Sequence, residues 1–314
     1  MKIKKLTIAK YIFEILLIIS LSFIFYLNQP IISQKVIYIP SGPINKIISH
    51  LSNKGYNLSK LDSLILRFLG SPQSGWIKIG SNKLLRADFL YRLAHAKAAL
   101  QDVILIPGET TYIFLNELSI GLKLSRIKLQ YFYDKYAPIA EGALVPNTYR
   151  VPLGITEKTL IKILLDKSHL QMKDFSNKLF GSYNEKKWFH FVALASVIQK
   201  ESANNKEMPL VSSVIYNRIK KGMRLQMDGT LNYGKYSHIK VTSSRIRKDK
   251  SIYNTYKHRG VPSIPVCNVS FEAIRAAVFP AKTKYLYFMK SKNGKHDFAC
   301  NYSTHLRNIK HATK

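Results

Sequence analysis

Apolar residues recur at helical spacing along much of this chain, and one such run ends in a carboxylate. Between Trp188 and Glu201 the apolar side chains share one side of a helix: Trp188, Phe191, Val192, Ala195 and Ile198, with Leu194 and Val197 beside them. At about 100° per residue, Glu201 lies within roughly 20° of Leu194, on or beside the buried stripe. A buried carboxylate tends to have a raised pKa, which suits a general acid. Most glutamates are exposed, so the spacing also fits a Glu201 that ends the helix and turns to water.

The N-terminal third of the chain alternates short strand-like and helix-like segments. Strands are predicted at 35–40 and 103–107, and helices at 44–54, 60–69 and 87–100. Residues 71–80, which include Trp76, contain turn signals, and residues 118–137 are expected to form a linker or hinge helix. This mixed order is typical of a small α+β module.

The second half of the chain predicts longer helices and one hairpin. A helix is expected over 156–180 with Thr156 as its N-cap. Another is expected over 210–221, since Pro209 opens it and Gly222 follows it. Segments 285–289 and 296–298 flank an Asn-Gly turn at 293–294, the pattern of a β-hairpin.

The N-terminus contains a continuous apolar run at residues 11–27, preceded by Lys2, Lys4, Lys5 and Lys10. The run is at the short end for a membrane-spanning helix. Basic residues before the run predict that the N-terminus stays in the cytoplasm and that the chain beyond about residue 28 lies outside. A cleaved signal peptide is the alternative, but no clear small-x-small cleavage site follows.

Composition and charge add a preference for anionic surroundings. The chain has 314 residues, with 49 Lys plus Arg against 18 Asp plus Glu, a formal net charge of +31. Nucleic acid, anionic lipid or an anionic cell wall would all fit, and so would a lysine-rich composition bias. A body outside the cytoplasm argues against nucleic acid as a partner. Cys267 and Cys300 could form one disulfide or remain two lone thiols, and they lack metal-ligand spacing.

Short motifs occur in order along most of residues 103–305. The segment 194–202 is LASVIQKES, and 222–230 is GMRLQMDGT. Further motifs occupy 106–110, 141–149, 214–218, 233–234, 253–256, 260–262, 276–280, 285–288 and 296–298. Behind an N-terminal anchor, this ordered set resembles the endolytic murein transglycosylase family, also called MltG or YceG-like.

The resemblance implies an α+β protein with an N-terminal transmembrane helix, a small LysM-like module and a YceG-like catalytic domain of mixed helices and strands. The expected bounds are 1–10 for a cytoplasmic tail, 11–27 for the anchor, 28–118 for the module and 119–314 for the catalytic domain. The module would either bind glycan or act as a spacer that sets the distance from the membrane.

The implied activity is that of a lyase. It cleaves the β-1,4 bond between N-acetylmuramic acid and N-acetylglucosamine within glycan strands without water and leaves 1,6-anhydromuramic ends. Such cleavage would limit the length of nascent strands. The expected location is the bacterial inner membrane, with the catalytic domain in the periplasm. The expected partners are peptidoglycan strands, the membrane itself and cell-wall synthesis enzymes, with no nucleic acid, organic cofactor or metal.

By resemblance, Glu201 is the catalytic acid and base. The family often has a second glutamate two positions earlier, where this chain has Gln199, and often proline where this chain has Gly229. Six residues are candidates for holding substrate: Glu141, Gln226, Asp228, Tyr253, Asn254 and Tyr256.

Five of these six candidates also have a structural interpretation, and Tyr253 is expected to stack on substrate or donate its hydroxyl. Asp228 and Asn254 suit turns or caps, Gln226 could satisfy backbone groups, Tyr256 could be core and Glu141 could fix a loop. His296, beside the Asn-Gly turn, fits a structural or exposed position better than a catalytic one. Arg218 and Arg224 could bind carboxylates of the substrate or stabilise a helix C-terminus.

Two other functions stay open on the sequence. One is a hydrolytic muramidase, and the other is a non-catalytic protein that binds the cell wall.

Overall fold

The computed structural model describes residues 2–313 of the chain, with side chains described for residues 7–312. It contains two compact units, Met1–Gln101 with Arg150–Ile155, and Asp102–Tyr149 with Thr156–Lys314. These bounds differ from those of the predicted domains, 28–118 and 119–314, and the functional domains stay a prediction.

The fold mixes helices with short paired strands, as the α+β prediction expects. The helices are α1 Lys2–Leu27, α2 Ile44–Asn53, α3 Lys60–Leu69, α4 Arg86–His95, α5 Thr111–Gly121, α6 Arg126–Tyr136, α7 Glu157–Phe180, α8 Glu185–Glu201, α9 Met208–Lys220, α10 Ser243–Lys248, α11 Phe271–Val278 and α12 Tyr302–Thr313. The strands are β1 Pro30–Ile32, β2 Val36–Ile39, β3 Gly75–Lys78, β4 Lys83–Leu85, β5 Leu100–Leu105, β6 Asn147–Pro152, β7 Tyr287–Lys290 and β8 His296–Ala299. They form four two-stranded sheets, β1 with β4, β2 with β3, β5 with β6 and β7 with β8.

Helix α1 contains the apolar N-terminal run. Its segment Thr7–Leu27 is long and apolar enough to cross a membrane, and none of it is buried by the rest of the chain. The structure therefore has the N-terminal apolar helix that the sequence predicts, which fits either an anchor or a signal.

The first unit packs β2, β3, α2, α3 and α4 around a core of aliphatic side chains and Phe89. The predicted helix over 87–100 is too long, because α4 ends at His95 and Ala98 then bridges to Ile77 of β3. Strand β3, which pairs with β2, was not predicted, because residues 71–80 contain turn signals. Strand pairing over a long sequence separation leaves little trace in local periodicity.

The second unit is built around α8, which is buried along most of its length. Helices α9 and α11 pack against it in one large apolar cluster that includes Trp188. The predictions for α7, α9 and the hairpin β7–β8 are confirmed within one or two residues, including the Thr156 cap, which accepts a bond from the Thr159 amide.

The single hinge helix predicted over 118–137 is wrong. The chain forms α5 and α6 with a break between them, where Lys123 has a left-handed φ of 55°. Ser125 then caps α6 by accepting a bond from the Lys128 amide. The left-handed residue and the serine cap therefore divide the predicted segment between two helices.

Both cysteines are free in the structure. Cys267 is buried and Cys300 is exposed.

Candidate active site

Glu201 is the last residue of α8. Upstream of it the helix is buried on nearly all sides, from Trp188 to Ile198. The helix then leaves the core, and Ser202 caps it in an extended conformation. Glu201 is therefore held at the end of a rigid helix, half-buried, at the point where the core meets a cavity.

One backbone amide fixes the Glu201 carboxylate. The N–H of Gly229 donates to Oε1 of Glu201 at 2.6 Å. A Cβ placed on Gly229 would lie 2.7 Å from that oxygen and 2.8 Å from Cβ of Lys200. Only glycine lets the short helical turn Asp228–Leu231 approach α8 this closely.

Burial raises the pKa of Glu201 to about 7, because the charged form loses hydration. The Gly229 hydrogen bond and the positive charge of Arg218 favour the carboxylate, while the negative charge of Asp228 opposes it. Near neutral pH, Glu201 is therefore present both as the protonated acid and as the carboxylate. A group that donates a proton in one step and accepts one in the next needs both forms to be accessible.

A cavity of about 520 Å³ opens beside Glu201. The hairpin β7–β8 and helix α12 form one wall, and residues 225–228 form another. The side chains around it combine charged, hydrogen-bonding and aromatic groups: Glu201, Arg218, Leu225, Gln226, Met227, Asp228, Tyr256, Tyr287, Phe288, Met289, Lys290, His296, Tyr302, His305 and Ile309.

Three of the predicted substrate-holding residues line this cavity with Glu201. The hydroxyl of Tyr256 donates to Oδ1 of Asp228 at 2.6 Å, and burial together with that carboxylate raises the pKa of Tyr256. Gln226 is exposed and has a left-handed φ of 50°. Such a conformation is strained for a residue with a side chain and is often found at functional sites.

Arg218 lines the same cavity but has structural bonds as well. Its Nε donates to the carbonyl of Leu286 at 2.6 Å, and its guanidinium lies 5.2 Å from the centre of the Tyr287 ring. Burial lowers its pKa from the ordinary value. Arg218 thus ties α9 to the hairpin segment while placing a cation near Glu201.

Tyr253 and Asn254 are not among the residues that line the cavity. Tyr253 stacks on Tyr233 with ring centres 4.3 Å apart, and burial raises its pKa to about 12. Asn254 is fully buried, and its amide donates to the carbonyls of Ile246 and Asp249. Asn254 therefore holds a loop together from within.

Glu141 is also enclosed away from the lining of that cavity. Its Oε1 accepts bonds from the Thr111 hydroxyl at 2.6 Å, the Thr111 amide at 3.0 Å and the Gly142 amide at 3.2 Å. Burial raises its pKa to about 7, against the effect of these bonds and of Lys200. It caps the start of α5.

Sequence reasoning missed the pair of Glu207 and His296. Oε2 of Glu207 lies 2.7 Å from Nδ1 of His296, and Oε1 accepts a bond from the His296 amide at 3.1 Å. These bonds lower the pKa of Glu207 despite its burial. His296 thus lines the cavity in a fixed orientation, and the 89-residue separation of the pair hid it from any local pattern.

The described side chains include no group of three or more His, Cys, Asp or Glu that could hold a metal ion. The polar groups that line the cavity are carboxylates, hydroxyls, imidazoles, the Gln226 amide, the Arg218 guanidinium and the Lys290 ammonium.

Known proteins are similar to this chain in sequence or in fold. A segment of 168 residues is 30% identical to an endolytic murein transglycosylase of Bacillus subtilis, covering 52% of this chain and 46% of that protein. A segment of 177 residues is 30% identical to one from Streptococcus pneumoniae, covering 54% of this chain and 31% of that protein. The chain therefore matches less than half the length of these relatives.

A crystal structure of a YceG-like protein from Listeria monocytogenes shares the fold. The match has a TM-score of 0.56 at 23% identity and covers 89% of this chain and 99% of that one. The model of the YceG-like family matches residues 37–311, and this chain belongs to that family.

Proposed function

We propose that this protein is a lytic transglycosylase that cleaves peptidoglycan glycan strands internally, with Glu201 as its acid and base. The observation that carries the proposal is the Glu201 carboxyl at the edge of the cavity, with a pKa of about 7. The relatives named endolytic murein transglycosylase support the substrate class.

The reaction needs one group that first donates a proton and then accepts one. Protonated Glu201 gives its proton to the glycosidic oxygen as the bond from that oxygen to C1 of N-acetylmuramic acid breaks. Positive charge then develops on the sugar ring. The C6 hydroxyl of the same sugar attacks C1, and its proton passes to the Glu201 carboxylate. The products are a free 4-hydroxyl and a 1,6-anhydro end, and no water is consumed.

The groups around Glu201 support both halves of this cycle. Burial and Asp228 keep the carboxyl protonated, while the Gly229 amide and Arg218 stabilise the carboxylate that forms on proton transfer. The negative charge of Asp228 also suits the developing positive charge of the sugar. Tyr287, Phe288 and Tyr302 offer apolar ring surfaces along the cavity for sugar faces.

Asp228 also favours a second candidate, a hydrolytic muramidase. It is a second carboxylate on the cavity wall, and hydrolases use a pair of carboxylates to activate water or to form a covalent intermediate. The bond from Tyr256 occupies one oxygen of Asp228, which leaves the other available.

Digestion of purified peptidoglycan in heavy-oxygen water separates the two reactions. We expect the wild type and Asp228→Asn to release anhydro ends without heavy oxygen, and Glu201→Gln to release none. Reducing ends that carry heavy oxygen, lost in Asp228→Asn, would establish hydrolysis and contradict the lyase proposal.

The remaining expectations about the whole protein are part of the same proposal. Helix α1 anchors the chain in the inner membrane with its N-terminus in the cytoplasm, so the catalytic domain, 119–314, works in the periplasm. The module at 28–118 is LysM-like, nascent strands are shortened, and cell-wall synthesis enzymes are neighbours. A C-terminal reporter that is active only in the cytoplasm tests the orientation, since its activity would contradict this topology.

A further inference from the structure

The last turn of α1 contacts the rest of the first unit through a polar cluster whose inner members, Arg86 and Asp62, are buried. The Tyr26 hydroxyl lies 2.7 Å from Oγ of Ser59, the N-cap of α3, and accepts a bond from Arg86 at 3.0 Å. Arg86 in turn pairs with Asp62 at 2.6 Å, with exposures of 3% and 0%. The Arg86 guanidinium also lies 4.1 Å from the centre of the Tyr26 ring.

This cluster fixes the position of α3 at the end of the apolar helix. Ser59 both caps α3 and contacts Tyr26, so α3 begins beside the last turn of α1. The amide of Arg86 also donates to the carbonyl of Gln29, two residues after α1 ends. The buried Arg86–Asp62 ion pair joins α4 to α3, so the two residues that contact Tyr26, Ser59 and Arg86, are held in a fixed arrangement.

Helix α3 presents apolar side chains to the outside and a carboxylate to the inside. Leu61, Leu64 and Phe68 are all exposed, Phe68 at 92%, while Asp62 is buried. Positions 61, 64 and 68 fall within an arc of about 60° at 100° per residue. These exposed side chains do not pack against the core of the first unit. A contiguous exposed apolar patch is typical of a surface that contacts a partner or a membrane.

Two cations lie beside the stripe. Lys60 and Arg67 project from α3 at about 40–60° from its edge by the same helical geometry. Together with Leu64 they line a groove of about 570 Å³ that continues onto α2. Apolar residues flanked by Lys and Arg are typical of helices that lie in a membrane interface, where the cations reach lipid phosphates.

A second apolar face lies close to the end of α1. Strand β1 begins at Pro30, and Ile32 is 80% exposed while its neighbour Ile31 is fully buried. Its partner strand β4 pairs Leu85 with Pro30, and Leu85 is also exposed. Five residues of extended chain span at most about 17 Å, so Ile32 stays near the membrane boundary that α1 would define.

We propose that these two faces form one membrane-contacting surface, made of Ile32, Leu61, Leu64, Phe68 and Leu85. Its partner is the lipid interface of the same bilayer that α1 enters. Continuity with α1 supports this choice over a protein partner, because the Tyr26 cluster holds α3 at the point where the apolar helix ends. The proposal rests on the membrane anchoring proposed above and not on catalysis.

Fluorescence quenching by lipids tests the surface in the full-length protein. The protein carries Cys300→Ser and one introduced cysteine with an environment-sensitive label, while the remaining native cysteine, Cys267, is fully buried and is not expected to react. It is reconstituted into vesicles of phosphatidylcholine and phosphatidylglycerol with nitroxide-bearing acyl chains. We expect labels at Phe68→Cys and Ile32→Cys to lose more than half of their emission. Leu170→Cys, an exposed apolar position of the second unit, should lose little.

A label at Phe25→Cys, in α1, reports whether the helix enters the bilayer. Quenching at Phe25 without quenching at Phe68 and Ile32 would overturn the surface but leave the anchor. No quenching at Phe25 would overturn both. Protection of the Phe68 label from aqueous iodide without lipid quenching would mean that a protein covers the stripe, and the proposal would fail.

Tyr26→Phe tests the role of the polar cluster. It keeps α1 apolar but removes the hydroxyl that bonds to Ser59 and Arg86, so lipid quenching at Phe68 should fall at least twofold. Unchanged quenching would contradict a fixed attachment. Peptidoglycan cleavage in detergent should be unaffected in Tyr26→Phe and Phe68→Ser, which separates failure of this surface from failure of the proposed reaction.

Discussion

Two glutamates of the second unit have the same raised pKa but different surroundings. Burial raises the pKa of both Glu201 and Glu141 to about 7. Glu141 is enclosed, with bonds from the backbone and hydroxyl of Thr111 and from Gly142. Glu201 borders a cavity, and the only hydrogen bond described for its carboxylate goes from Gly229 to Oε1.

The difference shows that a perturbed pKa marks burial and not catalysis. Desolvation acts on any enclosed carboxylate, whatever it contacts. A general acid also needs an oxygen that a substrate can reach. Glu201 meets both conditions, and Glu141 meets the first.

The largest expected effect is the contrast in activity between Glu201→Gln and Glu141→Gln. The amide cannot give or take the proton, so Glu201→Gln should reduce peptidoglycan cleavage by about 10³-fold or more. Glu141→Gln should keep activity within about threefold. Product mass analysis at equal protein concentration measures both. Similar losses in the two variants, with both folded, would remove the distinction between the sites.

The second expected effect concerns the pH dependence of stability. Glu201 and Glu141 both contribute to it through their raised pKa values, and Glu141 is the one that lies away from the cavity. Its folded pKa is above the unfolded value, so its contribution is greatest below about pH 4.5 and is lost as pH rises through about 7. The loss is about 3 kcal/mol at most. Glu141→Gln should therefore flatten the fall in melting temperature over this range, measured by thermal unfolding in detergent. A parallel pH dependence in variant and wild type would be inconsistent with a raised pKa at Glu141.

Gly229→Ala should have the next largest effect. The new methyl group would meet Oε1 of Glu201 and Cβ of Lys200 at under 3 Å, so the carboxyl must move. A displacement of this size should lower kcat by about 10–100-fold. Gly121→Ala is the matched control, because its Cβ would enter open space in a helix. Normal kcat in Gly229→Ala would mean that Glu201 needs no fixed position.

The smallest expected effect is a shift in the pH profile of Asp228→Asn. The Asp228 charge raises the pKa of Glu201, so its removal should lower that pKa. The fall in kcat/KM at high pH would then begin at lower pH, by less than about one unit because Asp228 is exposed. Tyr256→Phe keeps the charge and should shift the profile less. A shift to higher pH in Asp228→Asn would show that the charge acts in the opposite direction.

Local patterns predicted the regular parts of the molecule well. Helices α3, α7 and α9 and the hairpin β7–β8 follow from apolar spacing, caps and turn residues, because those signals lie within a few residues of each other. The break between α5 and α6 was missed, although the cap at Ser125 is a local signal, because the left-handed conformation of Lys123 is not one that lysine favours.

The candidate site was predictable only in part. Helical spacing and the family motifs singled out Glu201, and the motifs also led to Gln226, Asp228 and Tyr256, which line its cavity.

The same motifs included Tyr253, Asn254 and Glu141, which the structure places in stacked, buried or capping positions. Glu207 and His296 lie too far apart in the sequence for any pattern to join them.

By itself, the sequence determined the apolar N-terminal helix, the mixed α+β class and a carboxylate at the end of an amphipathic helix. Those features depend on local periodicity, which the chain carries residue by residue. Only the tertiary structure decided that Gly229 holds Glu201, that Glu141 is closed in and that His296 is held at the cavity by Glu207. These depend on contacts between distant segments, where burial and hydrogen bonding set the pKa and access of each group.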